Sequence, residues 1–481
     1  MCSLACRNPC CGCQGIFYLG LGFFATRALA TSHRVMRHRC ATRNCSPMRH
    51  ETDPQLLTGF ENSTNCKTGF QSVGGAMYIP RTLEKTIREA ADFFPVLLVT
   101  GPSGAGKTTL LKACGNDTRS YVSLDVLENR RFAREDPALF LQRFRPPIFI
   151  DEIQHAPQLF LYIKALVDEE KAPGMFWLAS SHEFRKMRNV TACLAGRMAI
   201  LHLAGLSLAE REGQYQRSPF LPLPEIIEAR AETAEALDTA SLFRRIWRGS
   251  CPGMHGKGDD MWQSFYERHV QAYMERNIRA LRVGNELVFF AFLKALAART
   301  GQTLNCSDIA REVGVTSPTV KAWVSMLETT GVVFLLQPCR TLDKRLIKSP
   351  KVYFMDTGLA CYLAGWNAPQ PLDAGTMSTA MLETFVVTEI VKSWWHNGKS
   401  PRISYYRDKD RREIAVILEE NGFLHPIGIT RISRVSEEDV RAFGAIESVL
   451  GRKRGHGAVL CMARTDLPVT GDVDAVPVGY I

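Results

Sequence analysis

Pro95-Val96-Leu97-Leu98-Val99-Thr100, followed directly by Gly101-Pro102-Ser103-Gly104-Ala105-Gly106-Lys107-Thr108-Thr109, is the stretch whose reading decides the fold. The first half is a short apolar, partly β-branched run, which predicts a buried strand. The second half matches G-x-x-x-x-G-K-[ST], the P-loop pattern. Residues from Thr108 can open a helix, so the motif has its strand–loop–helix setting. The residue types follow from the chemistry. Gly101, Gly104 and Gly106 let backbone N–H groups converge on phosphates where a side chain would block approach. Pro102, Ser103, Ala105 and Thr109 complete the expected nucleotide cradle. Lys107 is expected on the β/γ-phosphates of ATP, and the Thr108 hydroxyl on Mg²⁺. The helix N-terminus adds its dipole.

Working outward, the chain has 481 residues, enough for about three domains at ~150 residues each. With 46% hydrophobic residues it reads as globular and soluble. The formal net charge is +10, which favours an anionic partner such as nucleic acid. The charge is unevenly placed. Residues 1–76 hold eight lysines and arginines against Glu51, Asp53 and Glu61, a net +5. The same segment holds eight of the 15 cysteines. The other seven are scattered singly, which fits reduced thiols and a cytoplasmic setting, not a disulfide framework.

Within that segment, residues 15–26 are an apolar run too short to span a bilayer. Two alternatives are a signal-peptide core with Ala28-Leu29-Ala30 as cleavage site and a zinc module around Cys10-Cys11-x-Cys13. Export would part a P-loop from cytosolic ATP, and the cysteines lack a second well-spaced pair. We read 1–76 as outside the folded enzyme, unfolded or not natively translated, with Met77 as the expected start.

The expected ATPase domain covers 77–210. A helical stripe of Leu83, Ile87, Ala90 and Ala91 leads into the P-loop strand. Tyr121-Val122-Ser123-Leu124 reads as a strand, and so does Ile148-Phe149-Ile150, which ends in Asp151-Glu152. Such a strand delivers two carboxylates at its C-terminal edge, where open α/β sheets bind ligand. Asp151 is expected to hold Mg²⁺, and Glu152 to act as general base toward water. A further strand, Met175-Phe176-Trp177-Leu178-Ala179-Ser180-Ser181, ends in hydroxyls; Ser181, then Ser180, are candidate sensors of the terminal phosphate. Arg197 is a candidate arginine finger, in cis or toward a neighbouring subunit.

The set YIPR, GPSGAGKTTLL, YVSLD, FIDEIQHAP, IKALVDEE and LAGR resembles a prokaryotic family of AAA-type P-loop ATPases joined to a C-terminal domain of unknown function. The resemblance covers Tyr78 to Ile481. It implies an AAA-like α/β core, a helical linker (211–300), a winged-helix-like segment (301–370) and a restriction-nuclease-like domain (371–481). At the sensor the family usually has Thr-Gly-Ser where this chain has Ala179-Ser180-Ser181. In the linker, Tyr273-Met274-Glu275-Arg276-Asn277 resembles a family motif that usually has Asp in place of Asn277; a packed, charge-laced helix is its plain reading.

Residues 304–338 carry a helix-turn-helix pattern: a helix over 307–313, a turn at Gly314, a Ser317 cap with Pro318, an apolar stripe of Val320, Val324 and Leu327, and a stop at Gly331. The exposed face, Thr319, Lys321, Ala322, Ser325 and Met326, is weakly basic. Arg340, Lys344, Arg345, Lys348 and Lys351 follow and can meet phosphates. DNA binding and protein docking both remain open, and so does oligomerisation. Beyond, a helix over 381–394 with Glu383 and Glu389 precedes strands at 403–407, 413–419 and 423–430, the last two joined at Asn421-Gly422, a hairpin signal. The resemblance implies metal-binding Glu-Ile-Asp and Glu-Ile-Lys on these strands. Here they are Glu413-Ile414-Ala415 and Gly428-Ile429-Thr430, so cleavage is not expected. The expected function is Mg²⁺-dependent ATP binding and hydrolysis, coupled to DNA or protein binding, with no membrane partner. The alternative is a nucleotide-gated module with negligible hydrolysis.

Overall fold

Buried apolar runs of four or five residues must pair their backbone groups, and parallel pairing covered by helices is one stable solution. In the computed structural model, α1 (Leu83–Phe93) leads into β1 (Val96–Thr100), and α2 (Lys107–Cys114) follows. Then come β2 (Ser120–Ser123), α3 (Leu127–Glu135), α4 (Pro137–Arg143), β3 (Ile148–Asp151), α5 (Leu159–Glu170), β4 (Phe176–Ser180) and β5 (Met198–His202). The five strands form a parallel sheet in the order β2-β3-β4-β1-β5. Residues described are 72–73, 76–115, 118–182, 193–215, 217–234, 237–281, 285–339, 347–410 and 412–481, with side chains from Tyr78 onward except at 277–284. The readings made for 1–71, for Arg340, Lys344 and Arg345, and for the Asn277 side chain lie outside them.

The pleat of β1 shows why it is apolar throughout. Val96 and Leu98 pack with Ile148, Ile150 and Phe160 on one face. Leu97 and Val99 pack with Leu83, Ile87, Leu110 and Leu111 of α1 and α2 on the other. A strand covered on both faces has no solvent side for a polar residue. Polarity returns where strands end, at Thr100, Ser123, Asp151 and Ser180.

Past Leu208 most of the helices and strands share an apolar core that runs to Ile481, and a second cluster around Tyr406, Phe443 and Val459 lies against the C-terminal sheet. It includes α6 (Thr239–Arg248), α7 (Trp262–Leu281), α8 (Glu286–Ala297), α9 (Cys306–Val313) and α10 (Ser317–Thr329). A three-stranded antiparallel sheet stands beside them: β6 (Gln302–Thr303), β7 (Val333–Leu336) and β8 (Lys351–Phe354), with β8 central. The cap of α10 is Thr316, whose hydroxyl accepts from Thr319 N; Ser317 is the first helical residue instead of the cap. Pro318, lacking an N–H, still sits where none is needed.

Helix α11 (Thr357–Ala364) and the long α12 (Ser378–Trp395) lead to a six-stranded mixed sheet. Its strands are β9 (Ile403–Arg407), β10 (Glu413–Glu420), β11 (Phe423–Ile429), β12 (Gly457–Cys461), β13 (Leu467–Thr470) and β14 (Val473–Pro477), in the order β9-β10-β11-β12-β14-β13. The β10–β11 turn has Asn421 at φ 50° and Gly422 at φ 83°, the double positive φ that an Asn-Gly hairpin supplies.

A buried ionic cluster ties α12 to the ATPase sheet within the compact unit Lys67–Ile481. Arg81 Nε lies 3.1 Å from Glu210 Oε2, and His396 Nδ1 lies 3.2 Å from Glu210 Oε1. Arg81 also donates to the carbonyls of Ala105 and Ala204, each at 2.9 Å. Glu210 accepts from the backbone N–H of Thr82 and Ser207. Burial pushes its carboxyl up, but Arg81 and His396 prevail and hold it well below the usual carboxylate range. One turn of α12 adds more: Glu389 accepts from Leu208 N, and Lys392 donates to Leu206 O and pairs with Glu389.

Removing one partner of such a pair leaves the other buried and uncompensated. Glu210→Ala is therefore expected to destabilise the protein by about 3–5 kcal/mol in urea titration. Lys85→Ala, which breaks an exposed pair with Glu89 at 3.9 Å, should change stability by less than about 0.5 kcal/mol.

Candidate nucleotide site

The loop between β1 and α2 is shaped by close backbone approach. A Cβ on Gly101 would sit 1.8 Å from the Leu203 carbonyl oxygen. The chain leaving β5 passes there because Leu203 N donates to Thr100 O at 2.8 Å. Gly104 and Gly106 take φ values of 83° and 92°, which glycine adopts without steric cost. Gly106 is the left-handed residue from which α2 begins at Lys107. Ala105 is buried beneath, its carbonyl held by Arg81. Thr109 is exposed on the first turn of α2.

Lys107 is only 5% exposed. Its ammonium crosses the loop and donates to Gly101 O at 2.9 Å, Pro102 O at 3.0 Å and Ser181 Oγ at 3.2 Å. Burial brings its pKa down to about 8, against the opposing pull of Glu152 and Asp151. A buried cation ringed by glycine backbone is a receptor for anionic oxygen.

Opposite stands the C-terminal edge of β3. Asp151 is 5% exposed; its Oδ2 accepts from the Thr108 hydroxyl at 2.7 Å and from Tyr121 OH at 3.2 Å. Burial raises its carboxyl, while the Thr108 hydroxyl works the other way. A hard cation would relieve that burial. A hydroxyl and a carboxylate already in contact, beside a phosphate cradle, fit Mg²⁺, which takes few protein ligands and otherwise phosphate and water oxygens. Glu152 follows at φ 56°, a left-handed non-glycine conformation that costs on the order of 1–3 kcal/mol and clusters at functional sites. It turns the carboxylate out of the strand direction to meet Ser181, whose Oγ donates to Oε1 at 2.8 Å; Gln154 also donates to it. Ser181 thus links Lys107 to Glu152. Ser180 is turned away: its hydroxyl exchanges hydrogen bonds with His182 N and O, both at 2.9 Å.

Arg197 is not brought to this site. In the parallel register Met198 pairs with Val96, the first residue of β1, while the loop leaves after Thr100. Arg197 therefore lies at the opposite edge of the sheet, roughly 15 Å away at about 3.3 Å per strand residue. Its guanidinium pairs with Asp168 of α5 and donates to Ala195 O. The finger reading in cis is corrected accordingly. Sequence reasoning also missed two contributors. Arg81 had a recognisable context in YIPR but no assigned role. Tyr121 sits in a strand pattern that carries no hint of its hydroxyl.

The second carboxylate cluster is built differently. Glu383 of α12 accepts from Lys351 Nζ at 2.8 Å and from Tyr353 OH at 2.6 Å. Lys351 also pairs with Glu413 of β10 and is 2% exposed. An ammonium thus lies between the two carboxylates. Glu389 faces the ionic cluster near Leu208 instead. A Cβ on Gly428 would come within 3.3 Å of Val459.

Comparison with known proteins agrees with this architecture. Residues 94–212 match a family described as an AAA domain. Residues 239–370 match a domain of unknown function (DUF8612), and 378–481 another (DUF4143). Two similar proteins are the uncharacterized proteins Mb2031c of Mycobacterium bovis and Rv2008c of Mycobacterium tuberculosis. Each is 26% identical over 403 residues, 82% of either chain. A Walker-type ATPase of Pyrococcus abyssi aligns at 12% identity with a TM-score of 0.37, covering 58% of this chain and 94% of that one. The chain carries an AAA-type P-loop ATPase domain joined to a C-terminal DUF4143 domain. No helix among the described residues is long and apolar enough to cross a membrane.

Ser181→Ala removes the link between Lys107 and Glu152. It is expected to slow ATP turnover about 10²-fold and leave ATP affinity within about threefold, measured by phosphate release and nucleotide titration.

Proposed function

We propose that this chain is a Mg²⁺-dependent ATPase whose nucleotide state is passed to a DNA- or protein-binding C-terminal half. The observation that carries the reading is the Lys107–Ser181–Glu152 chain facing the Thr108–Asp151 pair. In this reading the loop residues Gly101, Pro102, Ser103, Gly104, Ala105, Gly106, Lys107, Thr108 and Thr109, with Ser181, take the phosphates. Thr108 and Asp151 hold the ion, and the ion neutralises phosphate charge when bound. Glu152 accepts a proton from the attacking water; its fixed bond to Ser181 orients the acceptor oxygen.

The working division is 77–210 for the ATPase domain, 211–300 for the linker, 301–370 for a winged helix and 371–481 for an inactive nuclease-like domain. The winged-helix reading is supported by α9, the turn at Gly314 (φ 72°) and α10, followed by the antiparallel β7–β8 pair. Lys321, Ala322 and Ser325 are exposed on α10. Inactivity of the nuclease-like domain is supported by Lys351. Its charge already satisfies Glu383 and Glu413, while Ala415 and Thr430 bring no carboxylate or ammonium. The need for ATP supports a cytoplasmic setting for this activity.

The test is ATP hydrolysis by the full chain, with and without duplex DNA, beside Glu152→Gln. Mg²⁺-dependent hydrolysis, lost in the variant with ATP binding kept, is the expected result. Stimulation by DNA would assign the C-terminal half to DNA; indifference would point to a protein partner. Tight ATP binding without any hydrolysis would replace this reading by a nucleotide-gated module. Supercoiled plasmid should stay intact with Mg²⁺ or Mn²⁺, and nicking would overturn the inactive-nuclease assignment.

A further inference from the structure

Helix α6 ends in a run of cations, Arg244, Arg245 and Arg248. Between that end and the short helix Leu208–Arg211 lies a cavity of about 140 Å³. Its polar lining is chiefly Arg211, Arg245, Arg248 and His255, and no carboxylate lines it. The volume is well above the ~10–15 Å³ that one water needs. A neighbouring hollow shares Arg245 and Arg248 and adds Ser241 and Arg244. No residue from Gly101 to Thr109 lines either one.

The carboxylates nearby do not balance these cations. Arg245 pairs with Glu212, a carboxylate that Arg217 also faces. Asp259 serves two arginines, Arg244 at 2.9 Å and Arg248, whose guanidinium also donates to Met254 O at 3.0 Å and Lys257 O at 2.6 Å. Four guanidiniums thus meet two carboxylates. Asp356 is engaged elsewhere, accepting from Ser250 N, Tyr266 OH and Leu359 N, and Glu389 pairs with Lys392. Exposed Asp260 is offset by exposed Lys257. Arg245 and Arg248 stand in the last turn of α6, where cations complement the helix dipole. That accounts for them and not for Arg211. Among the described residues, the Arg211 side chain has neither an ion pair nor a hydrogen bond, although a guanidinium carries five N–H donors. At the rim, burial first, then Arg211 and Arg248, hold the His255 imidazole below its ordinary value.

We propose that this cavity binds a phosphate-type oxyanion between the Arg211, Arg245 and Arg248 guanidiniums, at a site separate from the nucleotide cradle. The planar fork of arginine matches phosphate oxygens, and the bonds are charge-assisted at both ends. An excess of two positive charges suits a phosphate, which carries about −1.5 to −2 at pH 7; a carboxylate brings only one. The site backs onto the P-loop without including it. Cys251, in its wall, has its Sγ 3.7 Å from Gly104 O. Arg211 directly follows Glu210, which holds Arg81 beneath Ala105. Free phosphate and the terminal phosphate of a larger molecule present the same oxygens. The hollow beside Ser241 and Arg244 leaves room for the rest of such a molecule.

The experiment is equilibrium dialysis of labelled inorganic phosphate against the full chain at constant ionic strength. Lys107→Ala is present throughout, to remove binding at the P-loop, so the result does not depend on whether ATP is hydrolysed. We expect saturable binding of one phosphate per chain. Adding Arg211→Ala should weaken it at least about tenfold, the loss of a charge-assisted contact. Arg311→Ala removes the same charge from an exposed pair with Asp308 and should change binding less than about twofold. A urea titration checks that each variant folds. Should Arg211→Ala lack a cooperative transition, Arg211→Lys decides: it keeps the charge and loses the fork, and should bind about threefold more weakly. Phenyl phosphate, a phosphomonoester, is the competitor. Displacement upholds the site and assigns it to the phosphate of a larger molecule; failure to displace upholds it for free phosphate. No saturable binding in the Lys107→Ala chain overturns the proposal. Equal weakening by Arg211→Ala and Arg311→Ala reduces the effect to net charge and overturns it too.

Discussion

Everything at this site answers to one constraint: a lysine ammonium held almost entirely out of water. Lys107 is 5% exposed and rests on two backbone carbonyls and one hydroxyl. Burying an ionised amine without full compensation is costly, which is why its proton is loosened. The glycine geometry around it, and the approach of Leu203 to Gly101, leave no room for a side chain to shield that charge. Asp151 and Glu152 pull the other way but do not outweigh the burial. The ammonium is held on the loop by the Gly101 and Pro102 carbonyls.

The carboxylates are placed by the same logic with opposite sign. Asp151 ends an entirely buried strand, so its oxygens face a low-dielectric edge and need donors. Thr108 and Tyr121 supply two. Glu152 leaves the strand direction only by adopting a strained φ, and that strain aims it at Ser181. The Glu152 carboxylate is thus positioned by backbone geometry and by the Ser181 and Gln154 side chains.

The C-terminal half is fastened to this site by charges that never reach solvent. Arg81 touches the loop through Ala105 O and α12 through Glu210 and His396. Helix α7 reaches the loop from the other side. The loop is therefore joined through Arg81 to Glu210, which also meets His396 beyond α12, and through α7 to the end of α10. In the sheet that follows, Lys351 lies between Glu383 and Glu413 and pairs with both.

Much of the ATPase core was legible without coordinates because its signals are local. The β1 strand, the glycine loop and the Asp151-Glu152 edge each lie within a few consecutive residues, and all stand where expected within one residue. The Asn421-Gly422 turn was legible for the same reason. The strands at 457–461, 467–470 and 473–477 were not singled out, being short and mixed in polarity. Arg197 was misplaced within the chain because a motif carries no information on which edge of a sheet it occupies; the parallel register decides that. Sequence by itself determined the phosphate loop, its lysine and the carboxylate pair, because backbone chemistry demands those residue types at that spacing. Only the tertiary structure decided which serine joins Lys107 to Glu152, which arginine of α7 meets Ser103 and that Lys351 lies between two glutamates. Each of these meets its partner across 29 to 173 residues of chain, and such meetings are settled by packing of the shared core, not by any local preference.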